Sequence, residues 1–98
     1  MAKIRLSRKA IADLDGIWDY TFETWSEEQA VIYYRQIYSA IQGLNQLPVF
    51  LERPYDVVKP GLLGCKVGHH IIFYKKGKDG SISVDRILHE KMDYQRHL

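Results

Sequence analysis

The sequence predicts an α+β domain in which a helical hairpin packs on a small antiparallel sheet, in the order β-α-α-β-β-β. Through the first half of the chain, apolar residues recur every three or four positions, which is the spacing of amphipathic helices. After the prolines of residues 48–60, short β-branched and aromatic runs alternate with turn residues, which is typical of a strand meander. The 98 residues have room for one core. We therefore expect a single domain over residues 1–98.

A short strand and a long helix are predicted at the start of the chain. Residues 3–6 alternate polar and apolar side chains, which indicates an edge strand. Ser7 then stands where a helix N-cap is expected. The apolar stripe of the helix behind it contains Ile11, Leu14, Trp18, Phe22 and Trp25.

A second helix is predicted to begin directly after the first. Ser26 and Gln29 form a capping-box pattern, in which the serine hydroxyl accepts from the amide three residues later. Because so few residues join the helices, they must run antiparallel. Pro48 is predicted to end the second helix. Residues 48–60 are expected to form a loop, with residues 49–51 tucked under the hairpin.

Three strands are predicted in the second half, at residues 62–67, 69–76 and 81–88. Gly68 and the pair Asp79-Gly80 indicate the turns between them. The first strand is expected to join this sheet, because its backbone groups need partners. The tail, residues 89–98, is expected to be a short helical turn or an extended arm.

Charge is segregated along the chain although the formal net charge is only +2. Residues 1–9 carry +4, residues 10–58 carry −6 and residues 59–98 carry +4. A basic face of this kind attracts an acidic partner, either nucleic acid or protein. The lone Cys65 cannot form an internal disulfide, and no apolar run approaches the roughly 20 residues that span a bilayer. Since the N-terminus also lacks a signal-peptide pattern, we expect a cytoplasmic protein without membrane contact.

Three segments resemble the ParE branch of the RelE/ParE superfamily of toxin–antitoxin toxins. They are residues 6–20, the run Trp25-Ser26-Glu27-Glu28-Gln29-Ala30 with Tyr33-Tyr34, and residues 70–74 followed by 86–93 and 96–98. The closing run from Arg86 to Leu98 is the most specific of them. Two positions depart from the family pattern. Ser26 replaces a glycine, and Leu51-Glu52-Arg53 stands where Gly-Arg is common.

The resemblance implies the toxin component of a type II toxin–antitoxin system. Such a toxin inhibits DNA gyrase by binding and stabilising the cleaved-DNA complex, and a ParD-type antitoxin neutralises it in a hetero-oligomer. DNA is then met only through gyrase or the antitoxin, and no cofactor is implied. Two alternatives remain open. One is a RelE-like ribosome-dependent mRNA endoribonuclease, and the other is a non-toxic relative that acts only in an antitoxin co-repressor complex.

Two groups of binding residues are predicted on this basis. The basic end of the chain is expected to carry toxicity through His89, Lys91, Met92, Asp93, Arg96 and His97. The antitoxin is expected to lie along the helices and reach the sheet, contacting Trp18, Phe22, Tyr33, Tyr34, Lys66 and Tyr74.

A ribonuclease of this superfamily would need a base, cations and an acid around the scissile phosphate. The candidates for these roles are Lys66, His70, Arg86 and His89. His70 stands where nuclease members carry an arginine, and a histidine cannot supply that permanently charged, bidentate fork. We therefore predict binding without a catalytic centre.

Two further predictions concern polar residues in and after the strands. His69 and His70 are neighbours on one strand, so they point to opposite faces and cannot hold one metal ion. No metal site is expected. Arg86 is predicted to form an ion pair with Asp93 that ties the tail to the sheet.

Overall fold

The computed structural model describes residues 3–48 and 51–98, and it confirms the predicted α+β architecture. The predicted placement of Val49 and Phe50 lies outside the described residues. Leu51 is half exposed, so the expectation that it tucks under the hairpin is wrong. The elements in chain order are β1 (Ile4–Leu6), α1 (Arg8–Thr24), α2 (Glu27–Gln42), β2 (Arg53–Pro54), β3 (Leu63–Val67), β4 (His70–Lys76), β5 (Ile82–His89) and α3 (Tyr94–His97).

The sheet has five strands in the order β1-β5-β4-β3-β2. The three predicted meander strands are confirmed to within one residue at each end, and their neighbours pair antiparallel. The first strand does join the sheet, but it runs parallel to β5. The sequence did not predict β2, because two residues are too few to show an alternation and one of them is a proline, which is confined to sheet edges.

Both predicted helix caps are present. The Ser7 Oγ accepts from the Ala10 amide at 2.9 Å, and the Ser26 Oγ accepts from the Gln29 amide at 3.1 Å. The predicted end of α2 is wrong, because the helix stops before Gly43 and not at Pro48. The Gly43 amide is shared between two carbonyls of the last turn, and the chain then tightens into a 3₁₀ turn over Leu44–Gln46.

The sheet is covered on both faces. Side chains alternate along β4, so that Ile72 and Tyr74 face the helices while Ile71 and Phe73 face the opposite side. We call these two groups the helix-side core and the far-side core. The far-side core consists of Leu62, Ile71, Phe73 and Leu88, covered by Tyr55, Val58, Tyr94 and Leu98. The tail therefore packs on the face that the hairpin leaves open. In the described part of the chain, no helix is both long and apolar enough to cross a bilayer.

Candidate functional site

A partly buried ion pair joins the first helix to the last strand. Arg86 Nε donates to Asp13 Oδ2 at 2.8 Å and its Nη2 donates to Oδ1 at 2.9 Å. The same Oδ2 accepts from the Ile87 amide at 2.9 Å. This amide lies on the edge of β5 beyond the point where pairing with β1 ends. The hydrogen bonds that Arg86 donates to Asp13 raise the pKa of Arg86. Asp13 therefore neutralises a cation and completes the strand edge at once.

The predicted ion pair between Arg86 and Asp93 is wrong. Asp93 instead caps α3, where its Oδ1 accepts from the Gln95 amide at 3.2 Å. Arg86 does tie down the tail, because its Nη1 donates to the His97 carbonyl at 3.1 Å. The guanidinium thus has its carboxylate partner on α1 and only a carbonyl partner in the tail.

The residues expected to carry toxicity form one continuous segment after β5. Lys91, Met92, Asp93 and Arg96 are exposed, while His89 and His97 are partly buried. Tyr94 holds the segment against the sheet. Its ring centroid lies 5.1 Å from that of Phe73, and its hydroxyl donates to the Glu90 carbonyl at 2.7 Å. Leu98 also packs on the far-side core. We call residues 89–97 the C-terminal ledge.

Beside this ledge, Tyr33 reaches from α2 to the turn between β3 and β4. Its hydroxyl accepts from the His69 amide at 3.1 Å and lies 2.6 Å from His70 Nδ1 and 3.3 Å from the Val67 carbonyl. The hydroxyl has one proton, and the ring nitrogen is the nearer acceptor, so we assign the donated bond to His70 Nδ1. Gly68 permits this approach, because its φ is +57° and a Cβ there would lie 2.6 Å from the Tyr33 ring.

His70 is neutral at physiological pH. Burial, together with the neighbouring His89 and His69, lowers its pKa to about 4, although the carboxylates of Asp13 and Glu90 act in the opposite direction. Burial also raises the pKa of Tyr33. The pair is therefore a hydrogen bond between two uncharged groups, which offers no positive charge to a phosphate.

Glu90 connects the turn to β3. Its Oε2 lies 3.1 Å from His69 Nδ1 and its Oε1 lies 3.5 Å from Lys66 Nζ. The hydrogen bond from His69, together with the attraction of Lys66, lowers the pKa of Glu90. Next to it, His89 Nδ1 accepts from the Lys91 amide at 3.2 Å, which fixes the turn at the start of the ledge.

The four ribonuclease candidates do not converge on one site. His70 and His89 lie beside each other, with ring centroids 5.3 Å apart, and both border the clefts beneath α1. Lys66 lies on the opposite face of the sheet, since Cys65 and Val67 on either side of it face the helices. Arg86 already has all its charge balanced by Asp13. The positions that a phosphodiester cleavage needs are thus separated by the sheet itself.

Four of the residues predicted to contact an antitoxin belong to the helical hairpin, and three of them form part of an aromatic row. Trp18 stacks on Phe22 at 6.5 Å and meets Tyr34 edge-on at 5.9 Å, and Tyr34 stacks on Tyr38 at 6.4 Å. Phe22 and Tyr38 are about half exposed. We call these four residues the aromatic row. It forms an apolar stripe across the hairpin, exposed at Phe22 and Tyr38, while Tyr34 also packs against the helix-side core.

The other residues of that predicted set lie elsewhere. Tyr33 is occupied by the bonds to His69 and His70 described above. Lys66 is exposed on the far side of the sheet. Tyr74 is fully buried in the helix-side core, with its hydroxyl donating to Glu52 Oε2, so it presents no surface to a partner. Burial and this bond raise the pKa of Tyr74.

Comparison with known proteins shows which family this chain belongs to. The model of the ParE toxin of the type II toxin–antitoxin system parDE matches residues 4–94. The chain belongs to the ParE toxin family. It is 36% identical over 98 residues to Toxin ParE1 of Caulobacter vibrioides, covering all of this chain and 99% of that protein. It is also 38% identical over 93 residues to Toxin ParE1 of Mycobacterium tuberculosis, covering 95% of this chain and 94% of that protein.

Solved structures confirm the fold of this ParE family member. A chain from the chromosomal ParDE toxin–antitoxin system of P. aeruginosa matches with a TM-score of 0.74 and 26% identity, covering 91% of this chain and 96% of that one. A chain from the RelBE2 toxin–antitoxin complex of Mycobacterium tuberculosis matches with a TM-score of 0.60 and 17% identity, covering 90% of each chain. The second likeness shows that the RelE and ParE branches share this backbone arrangement.

Sequence reasoning missed three polar residues that organise this ParE chain. Asp13 is absent from the predicted apolar stripe of α1, although it directly precedes the buried Leu14 and so borders that stripe. The role of Glu90 could not be predicted from the sequence, because the turn between β3 and β4 determines which side chains come close to it. The role of the Tyr33 hydroxyl was equally invisible. Within residues 3–48 and 51–98, no three His, Cys, Asp or Glu side chains are grouped as a metal site would require.

Proposed function

We propose that this ParE-family toxin inhibits DNA gyrase by binding the enzyme and stabilising its cleaved-DNA complex. The observation that supports this is the C-terminal ledge, which presents five exposed side chains in one continuous segment fixed to the sheet. The separation of Lys66 from His70 and His89 favours binding over phosphodiester cleavage. The toxin would then contribute no chemistry of its own, and gyrase would cut the DNA.

The ledge is suited to this role because it is held in place before binding. Arg86 bonds to the His97 carbonyl at one end, and His89 accepts from the Lys91 amide at the other. A preordered segment loses little conformational entropy on association, so more of its contact energy remains to stabilise a complex. To trap gyrase, the toxin has to bind the cleaved state more tightly than the religated state, since only differential affinity shifts an equilibrium.

A ParD-type antitoxin is the partner we propose for the aromatic row. An exposed apolar stripe on a helical hairpin fits an amphipathic helix laid along it. The row lies on α1 and α2, whereas the ledge follows β5, so the antitoxin could bind without occupying every residue that meets gyrase. We place the resulting hetero-oligomer in the cytoplasm, where gyrase acts.

The proposal is tested by adding the purified toxin to two reactions. One contains gyrase and supercoiled plasmid, and the other contains translating ribosomes and messenger RNA. We expect linear plasmid after protein denaturation in the first and intact message in the second. Cut message without linear plasmid would establish the ribonuclease alternative. No effect in either reaction, from toxin shown to be folded, would support a non-toxic relative that acts only with its antitoxin.

The ledge is tested by point variants, because truncation after residue 91 would also uncover the far-side core. Lys91→Ala and Arg96→Ala, alone and together, are compared with Arg35→Ala. Arg35 is an exposed residue of α2. We expect the double ledge variant to need at least tenfold more protein for the same yield of linear plasmid, with antitoxin affinity retained. An unchanged yield would remove the ledge from the gyrase interface.

A further inference from the structure

Three adjacent strands place Arg5, Ser83 and Lys75 side by side on the far side of the sheet. The β1–β5 register pairs Arg5 with Ser83, and the β5–β4 register pairs Ser83 with Lys75. The chain neighbours Ile4, Leu6, Ile82, Val84 and Tyr74 all pack in the helix-side core. Since strand side chains alternate, the three residues between them point away from the helices. We call Arg5, Ser83 and Lys75 the basic row.

The cations of the basic row are not neutralised within the chain. In the described part of the molecule, neither Arg5 nor Lys75 has a carboxylate oxygen within 4.0 Å, and the same holds for Lys3, two residues before Arg5 on the same face. Lys3 and Arg5 also border a cleft of about 300 Å³, with Ser83 on its wall. Three free cations therefore surround an exposed hydroxyl.

The acidic residues nearby do not cancel this charge. Asp85, the next residue on this face of β5, is paired with Lys59 at 3.9 Å. Asp79 borders the same cleft, and its Oδ1 accepts from the Ser81 amide at 3.0 Å. Counting all these groups, four cations stand against two carboxylates, which leaves a surplus of +2 on this end of the sheet.

The row has the dimensions and chemistry of a surface for a phosphate backbone. Two strand spacings separate Arg5 from Lys75, roughly 10 Å, and this span covers about three phosphates at 3.4 Å of helix axis each. Proteins that hold single strands add aromatic side chains on which bases stack. The basic row has none, and Phe73, which faces the same side, is fully buried. These features favour duplex DNA over single-stranded nucleic acid.

We propose that the basic row, with Lys3, binds the phosphate backbone of duplex DNA directly. This goes beyond contact with DNA through gyrase or the antitoxin alone. In the setting of the proposed function, on which this assignment of the duplex rests, the DNA would be the segment that gyrase holds. The toxin would then touch both the enzyme, through the ledge, and its substrate, through the row.

The test measures binding of the purified toxin, without gyrase, to a fluorescein-labelled 20-base-pair duplex by anisotropy at several salt concentrations. Three phosphate contacts predict that log Kobs falls with log[salt] with a slope of about −2.7, which is roughly a 40-fold loss between 50 and 200 mM. Arg5→Gln/Lys75→Gln is expected to weaken binding at least tenfold and to reduce the slope to about −1. Lys75→Gln alone should give an intermediate result.

The matched control is Arg35→Gln/Arg53→Gln, which removes the same charge from exposed positions on α2 and on the opposite edge strand β2. We expect its binding to equal that of the wild type. Equal affinities for the row variant and the control would overturn the proposal. So would single-stranded RNA that binds as tightly as the duplex, or loss of antitoxin affinity in the row variant with DNA binding unchanged.

The two proposals fail in different ways. Because the anisotropy measurement contains no gyrase, loss of gyrase inhibition leaves its result intact. Conversely, a toxin that linearises plasmid with gyrase but shows no salt-dependent binding to the duplex keeps the proposed function and overturns the basic row.

Discussion

Asp13 and Arg86 are joined by two parallel hydrogen bonds although 73 positions separate them in the chain. The pairing of β1 with β5 ends at Leu6 and Val84, so the next stretch of β5 pairs with β4 on one edge and has no strand on the other. The Asp13 carboxylate takes the place of that strand by accepting from the Ile87 amide. One side chain of α1 thus fixes the helix against the strand that leads into the C-terminal ledge.

Asp13→Ala is expected to lower the free energy of unfolding by about 2–4 kcal/mol, because it leaves Nε and Nη2 of Arg86 and the Ile87 amide without an acceptor. Asp13→Asn should cost less, since its amide oxygen can still accept one bond. Urea denaturation provides the measurement. Asp15→Ala, at an exposed position two residues along α1, is the control. Equal losses in the two alanine variants would contradict the assigned role.

Arg86→Ala is expected to release the tail, because the bond to the His97 carbonyl disappears. Amide hydrogen exchange of residues 94–98 should accelerate in this variant. Asp93→Ala should accelerate exchange mainly at the Gln95 amide that it caps, and should cost less than about 1 kcal/mol, the usual effect of losing one helix cap. If exchange accelerated equally across residues 94–98 in the Asp93→Ala variant, the result would support the ion pair between Arg86 and Asp93 that the sequence predicted.

Arg86 and Asp13 should also couple in a double-mutant cycle. The double variant Asp13→Ala/Arg86→Ala is expected to cost less than the two single changes added together, because each single change leaves the other charge partly buried and unpaired. Simple additivity would show that the two side chains act independently.

The free energy of unfolding should fall in mildly acidic solution, because the folded protein keeps His70 neutral. Its folded pKa of about 4 lies below the ordinary value of 6.5, so the unfolded chain binds the proton first as the pH falls. The stabilisation is therefore complete above about pH 6.5 and is lost as the pH falls toward 4. Because the ring is only partly buried, we expect about 1 kcal/mol between pH 7 and pH 5.

His70→Gln removes this titrating group, so the variant should lose about 1 kcal/mol less than the wild type over that pH interval, or about 4 °C less in Tm. His97→Gln serves as the control, since its ring makes no hydrogen bond in the described part of the chain. Thermal unfolding at both pH values supplies the comparison. Parallel pH profiles of the wild type and His70→Gln would contradict the prediction.

Phe22→Ser is expected to weaken antitoxin binding at least tenfold, which is about 1.4 kcal/mol, because it removes the end of the aromatic row. Ile32→Ser is the matched control. Ile32 is 45% exposed and Phe22 47%, but Ile32 lies outside the row. Titration calorimetry with the antitoxin measures both. If the two variants bind alike, the antitoxin does not use the row.

Local patterns were enough to predict most of the fold. Ser7 and Ser26 cap the helices as their spacing indicates, and the turns at Gly68 and Gly80 have the positive φ that glycine allows. Local patterns failed at the end of α2, where Gly43 acts before Pro48. They failed again at β2, whose two residues pair with β3 only because the sheet is already there to receive them.

Less of the candidate functional site than of the fold could be predicted from the sequence. The ledge could be predicted because it is one continuous segment. The aromatic row could be predicted in part, because Trp18 and Phe22 share one face of a helix. Tyr74 was misjudged, since a tyrosine in a strand has the same pattern whether its hydroxyl meets a partner or a buried Glu52.

The sequence by itself determined both long helices, four of the five strands, their order and the family, because periodicity, caps and turns depend on residues within a few positions of each other. Only the tertiary structure decided which charged side chains form ion pairs with each other. Asp13 rather than Asp93 neutralises Arg86, Glu90 holds Lys66 and His69, and Arg5 and Lys75 are left free. The reason is that an ion pair depends on distance in space, and strand register and sheet order set those distances between residues far apart in the chain.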